Sequence, residues 1–256
     1  MLICLDVGNT HVHGGIFQGE TLSHQFRFPS RANSTSDEIG IFLRAFLREN
    51  DIASEKISKV AICSVVPSLD YSLRSAIIKY FSLTPFILQP GVKTGLQIKY
   101  KNPLEVGVDR IANAIAVSHL FPRKNVITVD LGSATSFEAI SANGEFLGGA
   151  ILPGLQMQML ALHKQTASLP PVQILKPSSC IGKSTMSNIQ AGLFFGQQGA
   201  IKEIIAQITK EVFQNSPPFV VGTGGFANLY EDSQLFNSIC PELVLIGLRL
   251  AYEKNN

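Results

Sequence analysis

The sequence predicts an α/β protein of two related lobes with a cleft between them, and three observations carry that expectation. The first is an internal echo. LICLDVGNT at 2–10 returns as VITVDLGSAT at 126–135, each a β-rich apolar run ending in Asp-x-Gly and then small hydroxyl or amide residues. The second is the order of elements after each copy: paired strand-like runs come first and helical patterns later, both times. The third is composition, since 256 residues with 45% hydrophobic and 16% charged side chains suit a globular chain with a substantial core.

After the first copy, HVHGGIF and TLSHQFRF are short strand-like runs separated by Gln18-Gly19-Glu20. After the second, SFEAIS and EFLGGAI are separated by Ala142-Asn143-Gly144, a strong hairpin-turn pattern. Apolar residues at helical spacing predict helices over 37–49, 69–80 and 186–213, and IANAIAVSHL over 111–120 is another. Further strands are expected over 59–66, 85–88 and 218–222. The pattern over 111–120 stops before Pro122, so the boundary falls near Phe121-Pro122-Arg123-Lys124. This divides the chain into an N-terminal lobe of residues 1–121 and a C-terminal lobe of residues 122–256. No linker rich in Gly, Ser or Pro separates them, so they are expected to be halves of one unit.

The net charge of +2 gives no reason to propose nucleic acid or an anionic membrane as a partner. Cys4, Cys63, Cys180 and Cys240 are scattered without a CxxC pair, which leaves a zinc site or a disulfide framework unsupported. Cys4 and Cys63 lie inside apolar runs and are expected to be small buried hydrophobes. No signal-peptide pattern stands at the N-terminus and no apolar run approaches a membrane span, so the expected setting is the reducing cytoplasm.

Chemistry concentrates at the two echoes. Asp-x-Gly at a bend puts a carboxylate beside exposed backbone N–H groups, and glycine lets a phosphate approach them closely. Two such hairpins facing across a cleft would hold the phosphates of one nucleotide and its cation; for either alone, an ordinary tight turn is the alternative. In Asp6-Val7-Gly8-Asn9-Thr10 the Asn and Thr side chains suit phosphate oxygens and Asp6 suits a hydrated Mg²⁺. His11 and His13 share a strand face by period two, but without a third ligand they read as strand filling. In the second copy, Asp130 closes an apolar strand, where a carboxylate needs a cation or a donor, and Gly132, Ser133 and Thr135 follow it.

Between the echoes, Tyr100 and the run Gly107-Val108-Asp109-Arg110 lead into the helix pattern. Asp109 fits two roles: a helix N-cap, or a general base with Arg110 beside it as an anion-binding fork. Gly148-Gly149-Ala150-Ile151-Leu152-Pro153-Gly154 reads as a glycine-rich crossover into a helix, a packing turn or a loop shaping the cleft. Thr185, in GKST before a long helix, fits a cap residue, and the missing upstream glycine rules out a Walker motif. Thr223-Gly224-Gly225 is either a tight turn or a face for adenine.

These residues resemble type III pantothenate kinases, which open coenzyme A biosynthesis in many bacteria. DVGNT at 6–10, ICSVVP at 62–67, GVDRIANA at 107–114, DLGSAT at 130–135, GGAILPGL at 148–155, ASLPPV at 167–172 and GTGGFA at 222–227 carry the resemblance in order along the chain. It implies an actin-like (ribonuclease H-like) fold, two duplicated lobes around a nucleotide cleft, and transfer of the ATP γ-phosphate to the pantothenate hydroxyl. It implies Asp109 as the base, with Tyr100, Gly107, Val108, Asp109, Arg110 and Thr185 contacting pantothenate. Asp6, Val7, Gly8, Asn9, Thr10, His11, Val12, His13 and Ser133 match ATP-binding positions. Asp130 matches the site of a monovalent cation, potassium or ammonium, beside the Mg²⁺ of the nucleotide. A homodimer is implied as well. Two positions depart from the pattern: Ser133 replaces a threonine, and His11 stands where a smaller polar residue is common. Two other functions share these features, an accessory factor in gene regulation from the same family and another actin-like kinase acting on a sugar or an acyl acid.

Overall fold

Residues 2–7 alternate between two buried faces, which is why they read as a continuous apolar run rather than as a half-exposed strand. Our computed structural model describes residues 1–214 and 216–256. The first elements are β1 (Leu2–Val7), β2 (His11–Gln18), β3 (Thr21–Pro29), α1 (Ser36–Glu49), β4 (Lys59–Ser64), α2 (Pro67–Phe81), β5 (Phe86–Ile87), β6 (Gln97–Ile98) and α3 (Val108–Leu120). They are followed by β7 (Val126–Leu131), β8 (Ala134–Ile140), β9 (Glu145–Pro153), α4 (Leu155–Gln165), α5 (Thr185–Val212), β10 (Phe219–Thr223), β11 (Ser238–Ile239) and α6 (Leu243–Asn255).

The first compact unit comprises Met1–Gly95, Asn102–Ala116 and Val244–Asn256. Its sheet runs β3-β2-β1-β4-β5, antiparallel from β3 to β1 and parallel beyond. Ile3, Leu5 and Val7 point to one face, where they join Leu43 and Leu47 of α1 and Leu73 and Ile77 of α2 in a single core. A capping box between Thr35 and Glu38 starts α1, and Pro67 at the first turn starts α2. Cys4 and Asp6 point to the opposite face. There α6 lies close enough that a Cβ on Gly15, the cross-strand partner of Cys4, would meet Leu245 at 2.9 Å. On the same helix Gly247 meets the backbone of Ala112 in α3. This close approach groups the C-terminal helix with the N-terminal residues, whereas a single cut after Phe121 would leave it with residues 122–243.

The second unit comprises Leu96–Lys101 and Val117–Leu243. Its sheet runs β11-β10-β7-β8-β9-β6, so β9-β8-β7-β10-β11 repeats the order of the first sheet and β6 extends one edge. The repetition reaches residue level. β1 and β7 share one burial pattern, and the irregularity between Ile16 and Phe17 returns between Ala139 and Ile140, at matching points of β2 and β8. Ile127, Val129 and Leu131 pack on α4 and α5 through Leu155, Met159, Leu193, Phe194 and Ile201. Tyr230 stacks on Phe194 at 4.8 Å and donates its hydroxyl to the Phe194 carbonyl.

Gly148 to Pro153, expected as a crossover, is instead part of strand β9, and Gly154 is the N-cap of α4. Gly149 is required there because a Cβ would stand 1.6 Å from the Phe137 carbonyl oxygen. Cys4 and Cys63 are fully buried as expected, while Cys180 is exposed. Among the described residues no helix is long and apolar enough to cross a membrane. Replacing Gly149 by alanine should push β8 and β9 apart and destabilise the protein by about 1–3 kcal/mol or more, read as a lowered urea midpoint.

Candidate active site

In the first unit, β1 ends at Val7 and the chain reverses through Gly8-Asn9-Thr10, closed by the Gly8 N–H donating to the His11 carbonyl at 3.1 Å. The Ser30 hydroxyl donates to the Gly8 carbonyl at 2.6 Å and its N–H to the Thr10 carbonyl, which fixes the turn against the end of β3. Asn9 and Thr10 at the tip of the turn are exposed. Asp6 stands at the base of the turn, level with His13 on β2 and Cys63 on β4. His13 is held by Gln25 at 3.0 Å, and burial lowers its pKa, so it is a neutral strand residue. His11 is exposed.

Asp109 comes to the same neighbourhood from α3. Burial raises the Cys63 thiol well above its ordinary value, and the charges of Asp6, its neighbour across the ladder, and of Asp109 add to that rise. The first intrahelical bond runs from the Ile111 N–H to the Gly107 carbonyl, which makes Gly107 the cap. Asp109 therefore sits inside the first turn and the N-cap reading is lost to Gly107. Its carboxylate accepts the Arg110 N–H at 2.8 Å. Burial raises the Asp109 pKa above the ordinary 3.8, partly opposed by that hydrogen bond and by the charge of the buried Arg110. Gly107 also sets the carboxylate's position, since a Cβ there would meet Asp109 Oδ1 at 2.5 Å.

In the second unit the equivalent turn is one residue shorter, closed by the Gly132 N–H to the Ala134 carbonyl at 3.0 Å. Gly154 braces it: its N–H donates to the Ser133 carbonyl at 3.1 Å, and a Cβ would meet the Ser133 and Gly132 carbonyls at 2.4 and 2.5 Å. Asp130, the last residue but one of β7, is level with Thr223 of β10. The following Gly224 has φ +86°, and a Cβ on it would strike Asp130 Oδ1 at 2.4 Å. Thr223-Gly224-Gly225 is thus a tight turn that leaves room for the Asp130 carboxylate. Tyr100 stacks edge-on against Phe146 at 6.1 Å. Thr185 is the exposed first residue of α5, and the cap role falls to Ser184.

Asp6 and His13 thus stand level in the first unit, Asp130 and Ser133 lie on either side of Gly132 in the second, and Tyr100 and Thr185 are each held by other contacts. Ser30 escapes sequence reading, and the bracing roles of Gly154 and Gly224 do too, because each acts on a residue distant in the chain. Among the described residues no group of three or more His, Cys, Asp or Glu side chains could hold a metal by itself. Single carboxylates beside hydroxyls and backbone N–H groups fit a magnesium ion that keeps most of its waters.

A family model for type III pantothenate kinase matches residues 2–207. The chain belongs to the type III pantothenate kinase family. A relative from Legionella pneumophila (strain Corby) bearing that name is 54% identical over 255 residues, covering 100% of this chain and 99% of the relative. A type III pantothenate kinase 1 from Francisella tularensis subsp. holarctica (strain OSU18) is 48% identical, covering 100% of both. Among solved structures, a Campylobacter jejuni protein described as a Baf family transcriptional activator superposes with TM-score 0.61 at 20% identity, covering 99% and 98% of the two chains. A Sinorhizobium meliloti protein described as a 2-dehydro-3-deoxygalactonokinase gives 0.57 at 11% identity, covering 99% and 96%. These structural matches show the fold, which is the actin-like (ribonuclease H-like) one with duplicated sheets.

In this family member the half-buried Asp109 carboxylate opposes folding while it is ionised. Its raised pKa favours the native state below 3.8, and that contribution is lost as pH rises through the folded value. Asp109→Asn keeps an acceptor for the Arg110 N–H and removes the charge. Its melting temperature at pH 7 should exceed that of the parent, with the gap closing as pH falls.

Proposed function

We propose that this chain phosphorylates pantothenate with ATP, giving 4'-phosphopantothenate and ADP, the first step of coenzyme A biosynthesis. The observation that carries the reading is Asp109: a carboxylate made more basic by burial, held by Gly107 and the Arg110 N–H in a chain of this family.

Asp109 accepts the proton of the pantothenate hydroxyl as its oxygen bonds to the γ-phosphorus. The bond from that phosphorus to the bridging oxygen breaks and ADP leaves. Residues 107–110, Tyr100 and Thr185 contact pantothenate, with the Arg110 cation offsetting the substrate carboxylate. Residues 6–13 and Ser133 contact ATP through turn N–H groups and hydroxyls. Asp6 would hold Mg²⁺ through its waters, and Asp130 would take a monovalent cation, potassium or ammonium. When bound, these cations offset charge on the transferring phosphoryl group. Ser133 keeps the hydroxyl of the threonine it replaces, with less side-chain restraint. The same reading sets the reaction in the cytoplasm.

A homodimer is part of the proposal. Of the exposed large apolar side chains, Ile151, Met157, Leu160, Leu162, Ile181 and Met186 all fall within residues 151–186, a concentration that suits a self-contact. A monomer at micromolar concentration in sedimentation analysis would remove that part.

The chemistry is tested by ADP release with pantothenate, ATP, Mg²⁺ and potassium; release no faster than without pantothenate overturns it. Asp109→Asn should lose about 10²–10⁴-fold in turnover while binding nucleotide. The acid limb of the parent's kcat should lie above pH 3.8, because the base is lost on protonation at its raised pKa. Gly107→Ala should fold and lose about 10²-fold through displacement of the carboxylate. Asp130→Ala should abolish stimulation by potassium.

A further inference from the structure

A chain of two amides, the inner one buried, runs from α4 through α5 to the β7–β8 hairpin. Gln158 Nε2 donates to the Pro153 carbonyl at 2.8 Å and to Gln197 Oε1 at 2.7 Å. Gln197 Nε2 in turn donates to Thr135 Oγ1 at 3.1 Å. Gln197 and Thr135 are each only 1% exposed. Both ends of this chain meet the turn that carries Ser133. Pro153 precedes Gly154, which braces the Ser133 carbonyl, and Thr135 comes after the turn and pairs with Leu131 across it.

Gln197 occupies an apolar helix face. Leu193, Phe194 and Ile201, at the i−4, i−3 and i+4 positions, all belong to the core of this unit. An aliphatic side chain of similar size would fill that place without desolvating an amide, so stability alone does not account for glutamine. What the amide adds is direction: one donor for one hydroxyl at one end of a short turn. Its helix also begins at Thr185, 12 residues earlier, or about 18 Å along the axis.

We propose that Gln197 is a positioning residue for the Ser133 turn, acting through the Thr135 hydroxyl, and that it anchors that turn to the helix whose first residue is Thr185. The proposal rests on the reading of Ser133 as a contact to ATP. Loss of the link loosens the Thr135 side of the turn, with Gly154 still bracing the Ser133 carbonyl, and leaves α5 held by its apolar face, so the effect falls on ATP and spares pantothenate.

The test compares Gln197→Leu, Thr135→Val, Thr135→Ser and the double variant Gln197→Leu/Thr135→Val, with KM for each substrate, kcat and the melting temperature. Gln197→Leu and Thr135→Val should each raise KM for ATP about tenfold, with KM for pantothenate within about twofold of the parent. Thr135→Ser, which retains the hydroxyl, should stay within about twofold for both substrates. The double variant should be no worse than the poorer single one, since the two groups form one link. An unchanged KM for ATP in folded Thr135→Val overturns the proposal, as does an equal rise for both substrates or an additive double variant. If Gln197→Leu does not fold, the Thr135 pair decides alone. Ser133→Ala separates the two levels: a silent Ser133→Ala sinks the ATP reading beneath the proposal. A raised KM for ATP in Ser133→Ala with a silent Thr135→Val sinks the positioning role by itself.

Discussion

Each unit depends on a central strand, β1 or β7, that is buried on both faces and carries an aspartate one residue before its end. Such a strand has no solvent side on which to place a charge, so a carboxylate is best tolerated near its end, where the chain turns. The Asp-x-Gly turn is the consequence of that constraint. The aspartate stays on the strand, on the face opposite the main helical core, and the glycine opens the bend. Everything that braces the turns then has to come from elsewhere: Ser30 in the first unit, Gly154 and Gly224 in the second.

The duplicated scaffold is legible in the sequence because its causes are local. Two apolar runs, each closed by the same turn chemistry, specify strands and hairpins over a few residues, and their echo aligns one half with the other without any knowledge of contacts. The helices over 37–49, 69–80 and 186–213 are legible for the same reason, and the structure moves their ends by only one or two residues. Helices α4 and α6 escape. LQMQMLALHK and LVLIGLRLAY lack a clean polar face, because α6 packs tightly at Gly247 against α3, and α4 leaves several apolar side chains exposed. The two-residue strands β6 and β11 carry no period at all.

The site is legible in its residue types and less so in its geometry. Asp109 stands out as a carboxylate at a helix start, but the choice between cap and base depends on which carbonyl receives the Ile111 N–H. That carbonyl belongs to Gly107, and the assignment frees the Asp109 side chain for other chemistry. The glycine has a second effect, since its missing Cβ leaves the space that Asp109 Oδ1 occupies. Neither effect can be read from GVDR as letters. In the GGAILPG segment the reverse holds: its glycines suggest a loop, but Gly149 lies in a strand because the neighbouring backbone comes too close for any side chain.

The two turns start from one design and end differently, and the difference comes from where each is braced. The first spans an extra residue and is tied through Ser30 to the end of β3, leaving Asn9 and Thr10 exposed at its tip. The second is shorter, pressed from one side by Gly154 and bonded on the other through Thr135 to a buried amide. A turn with an open polar tip can adapt to a ligand by side-chain motion. A short turn gripped at both ends presents a fixed pair of N–H and hydroxyl groups. Preorganisation of that kind costs nothing at the moment of reaction, which is the quality phosphoryl transfer draws on most, because little covalent work is left for the protein to do. Duplication thus supplied two equivalent starting points, and their bracing diverged: a serine from the edge strand holds one turn, and a glycine and a buried amide hold the other.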